Sequence, residues 1–181
     1  ELVATPYRFD NNKQKAQDFF ESGLNQAFKQ IHDISHIGYP LTVYYAFKQA
    51  EAEQKEQDNE SIASTGWETM LEGLIKANFS IGGTWPMRTE LTTSLKKTIG
   101  ALASSIVLVC RPRPTDASKT TRRQFLSELK RQLPKALKTL QQGNVAPVDL
   151  AQASIGPGMA VFSQYAAVLE NDGSPMRVRT A

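Results

Sequence analysis

The residues with the clearest chemical potential lie where a predicted strand ends near the middle of the sequence. Trp85 and Pro86 close an apolar stretch, and Arg88 and Glu90 follow shortly after it. This group combines an aromatic face with a guanidinium and a carboxylate, residue types that can bind a ligand at the edge of a sheet. The alternative that stays open is that Trp85 belongs to the core and that Arg88 forms an ion pair with Glu90.

Two further polar residues are expected beside this group. Lys48 follows a nearly continuous apolar strand at 41–47, and Ser104 lies at the start of a third predicted strand at 103–111. Ligands of open α/β sheets bind beyond the carboxyl ends of parallel strands, and an antiparallel third strand would begin at that same edge. Lys48 and Ser104 are therefore candidate contacts at one edge of the sheet.

A run of cations marks the last third of the sequence. Seven Lys and Arg residues lie from Lys119 to Lys138, against the single acid Glu128, whereas residues 51–60 are mainly acidic. Net charge is +3, and the separation of charges favours a basic face turned toward a polyanion. The alternative is an ordinary solvated helix face. The candidates for phosphate contact are Arg122, Arg123, Lys130 and Arg131.

Other reactive residue types lack the partners that chemistry requires. Cys110 is the only cysteine, so it cannot form an internal disulfide and is expected to pack as a small hydrophobe. His32 and His36 have helical metal-ligand spacing but no third ligand nearby. Ser154 and Ser163 have no base at motif spacing, so a hydrolase triad has no support.

Hydrophobic periodicity predicts the elements that position these residues. Asn12 can cap a helix that runs to about Ile34, and Thr65 and Glu68 have the spacing of a capping box that opens a second helix. That second helix lies between strands at 41–47 and 79–85. The link to the third strand is short and polar, so an antiparallel return is expected.

The C-terminal part is expected to be helical. Thr121 and Gln124 predict a second capping box, and Pro134 should kink or split the helix that follows. Gly156-Pro157-Gly158 is interpreted as a break, after which a helix resumes to Leu169. These patterns divide the chain into an α/β part at 1–114 and a basic helical extension at 115–181.

Composition limits the classes of protein to which this chain can belong. The 181 residues are 40% hydrophobic, with a mean hydropathy of −0.38, as in a globular protein. No apolar run reaches the roughly 18 residues of a membrane span, no leader pattern precedes an apolar stretch, and the cytoplasm is the expected location. Neither end has the features of a complete reading frame, so we expect a piece of a longer polypeptide.

Several segments together resemble the large, zinc-ribbon-containing, adenine-specific DNA methyltransferases of prokaryotes. The resemblance extends over nearly all of the chain and is carried by residues 1–9, 39–49, 64–74, 83–90, 103–113, 144–152 and 155–162. It implies the second half of a Rossmann-like sheet of about three strands, the last antiparallel, with a C-terminal helical extension. Residues 1–114 would be the C-terminal half of the catalytic domain.

The resemblance also implies a function and partners. The intact enzyme would transfer a methyl group from S-adenosylmethionine to adenine N6 in DNA. The family's glycine-rich cofactor motif, zinc ribbon and Asp-Pro-Pro-Tyr motif lie earlier in the polypeptide and do not occur here. This chain alone is therefore expected to bind no cofactor and to be inactive.

The same resemblance assigns roles to the candidate residues. Trp85 would stack against the target base or form a wall of its pocket, and Arg88 would contact a phosphate or a base. The basic helix would bind DNA phosphates. The expected partners are DNA, the missing N-terminal half, and further copies of the chain through the exposed edge of the first strand; no membrane contact is expected. The alternative function is a non-catalytic DNA- or protein-binding module.

Overall fold

A computed structural model describes residues 1–45, 60–88, 104–142 and 147–181. The longer helices are α1 (Lys13–Ile34), α2 (Glu60–Lys76), α3 (Arg122–Gln142) and α4 (Pro147–Ser163). The strands are β1 (Leu41–Tyr45), β2 (Phe79–Arg88), β3 (Ser104–Pro112), β4 (Lys119–Thr121) and β5 (Ala167–Leu169). Short 3₁₀ helices lie at Pro6–Phe9 and Val178–Thr180. Within the described ranges, no helix is both long enough and apolar enough to cross a membrane.

Three strands form a sheet in the order β1-β3-β2, and β3 is antiparallel to both neighbours. The predicted antiparallel return is therefore confirmed, and β1 and β2 run in the same direction on either side of β3. The register pairs Tyr45 with Ile106 and Arg88 with Ser104. Consequently the ends of β1 and β2 and the start of β3 meet along one side, which we call the carboxyl edge.

A bulge in β2 decides which side chains face the core. Ile81 pairs with Cys110 and Gly83 pairs with Val109, so the intervening Gly82 is an extra residue without a partner in the ladder. An extra residue reverses the inward–outward alternation beyond it. Thr84, which is 4% exposed, therefore faces inward, and Trp85 faces outward.

The inner face of the sheet packs against helices from both parts of the sequence. Leu71 and Leu74 of α2 and Phe125 of α3 belong to one buried cluster with Ile81 and Leu108 of the sheet. The Tyr45 and Trp67 rings stack with their centroids 5.4 Å apart. The core thus combines residues from 1–114 and 115–181, although the domain boundary at 114 stays a prediction.

α4 packs directly on β2 because a glycine lets the two backbones approach. A Cβ placed on Gly156 would lie 2.0 Å from the Oγ1 atom of Thr84. The backbone N–H of Ile81 donates a 2.7 Å hydrogen bond to Oγ of the buried Ser163, also on α4. Gly156 is therefore a packing residue and not a helix break. The expected break at Gly156-Pro157-Gly158 is wrong, since α4 continues through it.

Local sequence patterns predicted some of the helix ends correctly and others wrongly. Asn12 caps α1, since its side chain accepts a 3.0 Å hydrogen bond from Lys15 N. α2 begins at Glu60, so the expected start at Thr65 is wrong. α3 is one helix through Pro134. The expected helix to Leu169 is also wrong, because residues 167–169 form β5, which pairs in parallel with β4.

One buried cation ties several elements together. Arg113 follows β3 and is almost fully buried. Its guanidinium donates hydrogen bonds to the carbonyl oxygens of Ile75, Phe79 and Ala166, at 3.2, 3.0 and 3.4 Å. Burial lowers the pKa of this guanidinium. Arg113 therefore joins the end of α2, the start of β2 and the segment before β5.

Candidate functional site

The carboxyl edge brings most of the sequence-predicted edge residues together in the backbone. Trp85, Pro86 and Arg88 belong to the last residues of β2, and Ser104 opens β3 directly opposite Arg88. Pro86 is tolerated within the strand because β2 lies at the side of the sheet. Lys48 and Glu90 lie outside the described residues.

Two exposed aromatic side chains lie on the outer face near this edge. The register places Tyr44 and Trp85 on either side of Val107, in one row across the three strands. Tyr44 is 62% exposed and Trp85 is 52% exposed, whereas Val107 between them is 5% exposed. The nearly continuous apolar strand at 41–47 predicts that Tyr44 and Tyr45 each pack in the core on opposite faces of the sheet, and for Tyr44 this prediction is wrong. We call Tyr44, Val107 and Trp85 the outer row.

The indole of Trp85 lies over a glycine. A Cβ placed on Gly83 would come within 2.5 Å of the ring carbon Cη2 of Trp85. The ring can therefore lie close to the strand only because Gly83 has no side chain. The alternative that Trp85 is a core residue is wrong, since the bulge at Gly82 turns it outward. The alternative pairing of Arg88 with Glu90 involves Glu90, which lies outside the described residues.

The outer row can bind a flat apolar group. Aromatic rings stack on nucleobases irrespective of base identity, at about 1–3 kcal/mol per base. The row supplies two ring surfaces and a buried valine between them, but no carboxylate, imidazole or amine. Its chemistry is therefore suited to stacking against a planar ring, with the Tyr44 hydroxyl as its polar group.

The start of α3 is fixed by the capping box that the sequence predicted. Gln124 N donates to Thr121 Oγ1 and Thr121 N donates to Gln124 Oε1, each at 3.3 Å. β4 leads directly into α3, and its partner β5 leads into a turn at residues 170–173. The turn is closed by a hydrogen bond from Gly173 N to Glu170 O, with Gly173 at a φ of +81°. Pairing of β4 with β5 thus sets this turn beside the first turns of α3.

The structure separates the four predicted phosphate-binding cations into two pairs. Arg122 donates a 3.1 Å hydrogen bond to Glu170. Arg131 Nε donates to Glu128 at 2.9 Å, and this contact lowers the pKa of Glu128 to about 2, with help from Gln132. Arg123 and Lys130 make no ion pair within the described residues, and together with Arg122 they line a cleft of about 410 Å³ on the surface of α3. That cleft is bounded by Arg122, Arg123, Leu126, Ser127, Lys130 and Asn171.

The remaining chemically interesting residues have structural roles. Cys110 is fully buried, and burial raises the pKa of its thiol to about 12, so it packs as predicted. His32 lies edge-on against Phe79, and His36 Nδ1 accepts a 3.0 Å hydrogen bond from Gly38 N. Across the described part of the chain, no group of three or more His, Cys, Asp or Glu residues could hold a metal ion.

The Gly-x-Gly pattern of the chain does not fit a loop that holds S-adenosylmethionine. The only Gly-x-Gly pattern of the sequence, at Gly156, lies inside α4 and packs on Thr84. A dinucleotide-type cradle instead needs such glycines in a loop between a strand and a helix. No step of methyl transfer is therefore assigned to these residues.

Comparison with known proteins leaves geometry as the guide to function. The chain matches no family model, no curated protein and no solved structure. What the sequence missed at the carboxyl edge is Tyr44, although two adjacent tyrosines in one strand must face opposite sides of a sheet. In the basic region it missed Ser127 and Asn171, which no motif marks.

Proposed function

We propose that this chain is the closing half of a DNA methyltransferase that transfers a methyl group from S-adenosylmethionine to adenine N6. The order β1-β3-β2 carries the proposal. Two strands of one direction, joined through a helix and separated by an antiparallel last strand, are typical of the way class I methyltransferase sheets end. This is a fold-level analogy, and the site must supply the rest of the support.

The outer row supports a role in holding the target base. A base buried in duplex DNA must be extruded before an enzyme can modify it, and aromatic walls then hold it by stacking. Trp85 and Tyr44 present exposed rings near the edge where ligands of open sheets bind. In this proposal Trp85 forms one wall of the base pocket, and Pro86, Arg88 and Ser104 remain candidate contacts along the same carboxyl edge. Lys48 and Glu90 remain candidates for the same pocket.

The burial of the inner face supports a missing neighbour beyond β1. Leu41, Val43 and Tyr45 of β1 are only half-buried, although their partners on β3 are almost fully buried. Within the described residues, β1 pairs with no strand other than β3. A strand added beyond β1 would satisfy its free backbone groups and bury its inner side chains. In our proposal the cofactor-binding half supplies that strand.

The test is to join the two halves. The chain should be expressed together with the reading frame that precedes Glu1, and methyl transfer to adenine in duplex DNA should be measured with labelled S-adenosylmethionine. We expect transfer by the longer protein and its loss in the Trp85→Ala variant. Calorimetry of the 181-residue chain alone should show no binding of S-adenosylmethionine, and clear binding would refute the division of labour.

A second candidate function is supported by the basic surface of α3. Arg123 and Lys130 line a cleft, and neither contributes to the ion pairs made by Arg122 and Arg131. A DNA-binding module that uses α3 and treats the sheet as a scaffold would need only this surface. Duplex binding that is insensitive to Trp85→Ala, together with no methyl transfer by the longer protein, would favour this second function.

A further inference from the structure

The cleft on α3 presents the cations Arg123 and Lys130 along one side of the helix. We infer that Arg123 and Lys130 each bind one phosphate of a single DNA strand, with Ser127 and Asn171 as hydrogen-bond donors in the same cleft. The inference rests on the proposed function only in taking DNA as the partner. It adds Ser127 and Asn171 to the site and assigns the two phosphate contacts to Arg123 and Lys130, because Arg122, which also lines the cleft, is paired with Glu170 and Arg131 is paired with Glu128.

The spacing of the cleft residues follows the helix. Arg123, Ser127 and Lys130 are separated by four and three residues, so they lie on one face of α3. The helical rise between Arg123 and Lys130 is about 10 Å, which suits an extended backbone better than one isolated phosphate. The Ser127 hydroxyl lies between the two cations along this face.

The acids near the cleft are already engaged. Glu170 pairs with Arg122 at 3.1 Å, and Glu128 accepts hydrogen bonds from Arg131 and Gln132. Asp172, beside Asn171, accepts hydrogen bonds from Ser174 N and Oγ, and these lower the pKa of its carboxyl group. An anion entering the cleft therefore meets Arg123 and Lys130, which make no ion pair within the described residues, while these carboxylates are held by other partners.

The experiment measures the salt dependence of DNA binding by the whole 181-residue chain. Fluorescence anisotropy with a labelled duplex should be followed over a series of salt concentrations for Arg123→Gln and Lys130→Gln. Each lost phosphate contact lowers the slope of log affinity against log salt by about 1. The matched control is Lys138→Gln, which removes the same charge from the same helix outside the cleft and should leave the slope nearly unchanged.

Two further arms separate this inference from its rivals. Ser127→Ala should weaken binding a few-fold without changing the slope, because a hydroxyl releases no counterion. Inorganic phosphate and triphosphate should compete only weakly with the duplex. Equal slope changes in Lys138→Gln and Lys130→Gln would overturn the inference in favour of a diffuse basic helix, and strong competition by free phosphate would overturn it in favour of a small-anion site.

The outcome is independent of the methyl-transfer test. The slopes concern the chain alone, whereas the proposed function is tested by transfer in the longer protein. A lower salt slope in the cleft variants, without methyl transfer by the longer protein, would support the phosphate contacts of the cleft and contradict the proposed methyltransferase function. Methyl transfer by the longer protein, together with unchanged salt slopes in the cleft variants, would support the proposed function and overturn the inference about the cleft.

Discussion

The two faces of the three-stranded sheet are built from the same strands yet differ in what covers them. The inner face presents Tyr45, Leu108 and Thr84 to α2 and α4, and these side chains are half-buried or fully buried. The outer face presents Tyr44 and Trp85, each more than half exposed. Adjacent residues of one strand therefore serve packing on one side and leave aromatic surface available on the other.

The bulge at Gly82 produces this difference in β2. Strict alternation from Ile81 would turn Trp85 toward the helices and Thr84 toward the outside. With one extra residue, the small Thr84 meets Gly156 of α4, and the large Trp85 is placed outward. A close helix–strand contact and an exposed indole therefore arise from the same irregularity, so changes on one face can be compared with changes on the other.

The largest effect is expected where the inner face meets α4. Gly156→Ala would set a Cβ 2.0 Å from Thr84 Oγ1, and relieving this overlap should cost about 1–3 kcal/mol in the free energy of unfolding. Gly158→Ala is the matched control, since its nearest neighbour, Leu129 Cδ1, is 4.0 Å away. That control should be stabilised by up to about 1 kcal/mol, because alanine favours helix. Urea denaturation measures both, and equal stability of the two variants would contradict the close packing.

On the outer face, the expected effect falls on binding instead of stability. Trp85→Ala should change the free energy of unfolding by less than about 1 kcal/mol because the side chain is half exposed. It should weaken binding of DNA that carries an unpaired adenine by about 1–3 kcal/mol. Tyr7→Ala, which removes an exposed aromatic from the N-terminal 3₁₀ helix, is the control. Fluorescence anisotropy decides, and equal losses in both variants would remove the outer row from the site.

Sequence patterns predicted the elements of the sheet better than the use of its faces. Apolar stretches located all three strands, and the short polar link after β2 indicated that β3 is antiparallel. The sequence could not decide on which face of the sheet the Trp85 side chain lies. A bulge moves every later side chain of the strand to the opposite face, and no local signal marks Gly82 as the extra residue. Tyr44 was assigned to the core because both faces of the sheet were assumed to be covered.

The C-terminal region shows the same limit in another form. The capping box at Thr121 and the apolar stripe of α3 are local patterns, and the sequence predicted both. β4 and β5 are three residues each and are paired through contacts distant in sequence, so periodicity could not detect them. The ion pair of Arg122 with Glu170 depends on that pairing. For this reason charge alone could not separate Arg122 from Arg123.

A smaller effect should appear at the open side of β1. Thr42 lies on the outer face of β1 and is exposed, and β1 contains no charge, proline or bulge that would discourage pairing. We expect the chain to self-associate through this strand, and Thr42→Lys should shift the population toward monomer. Light scattering coupled to size exclusion measures the mass. A monomeric wild-type chain at high concentration would contradict the open edge.

The smallest effect concerns the thiol on the inner face. Burial raises the pKa of Cys110 to about 12, whereas an unfolded cysteine titrates near 8.5, so only the unfolded state loses the proton between these values. The contribution of this thiol to stability is therefore complete below about pH 8.5 and declines above it. Urea denaturation at pH 7.5 and 9.5 should show a decline in the free energy of unfolding that Cys110→Ala reduces.

The folded chain should also resist thiol reagents at pH 8. Rapid labelling of Cys110 at pH 8 would mean that reagents reach the inner face of the sheet easily. It would contradict the difference in burial between the two faces.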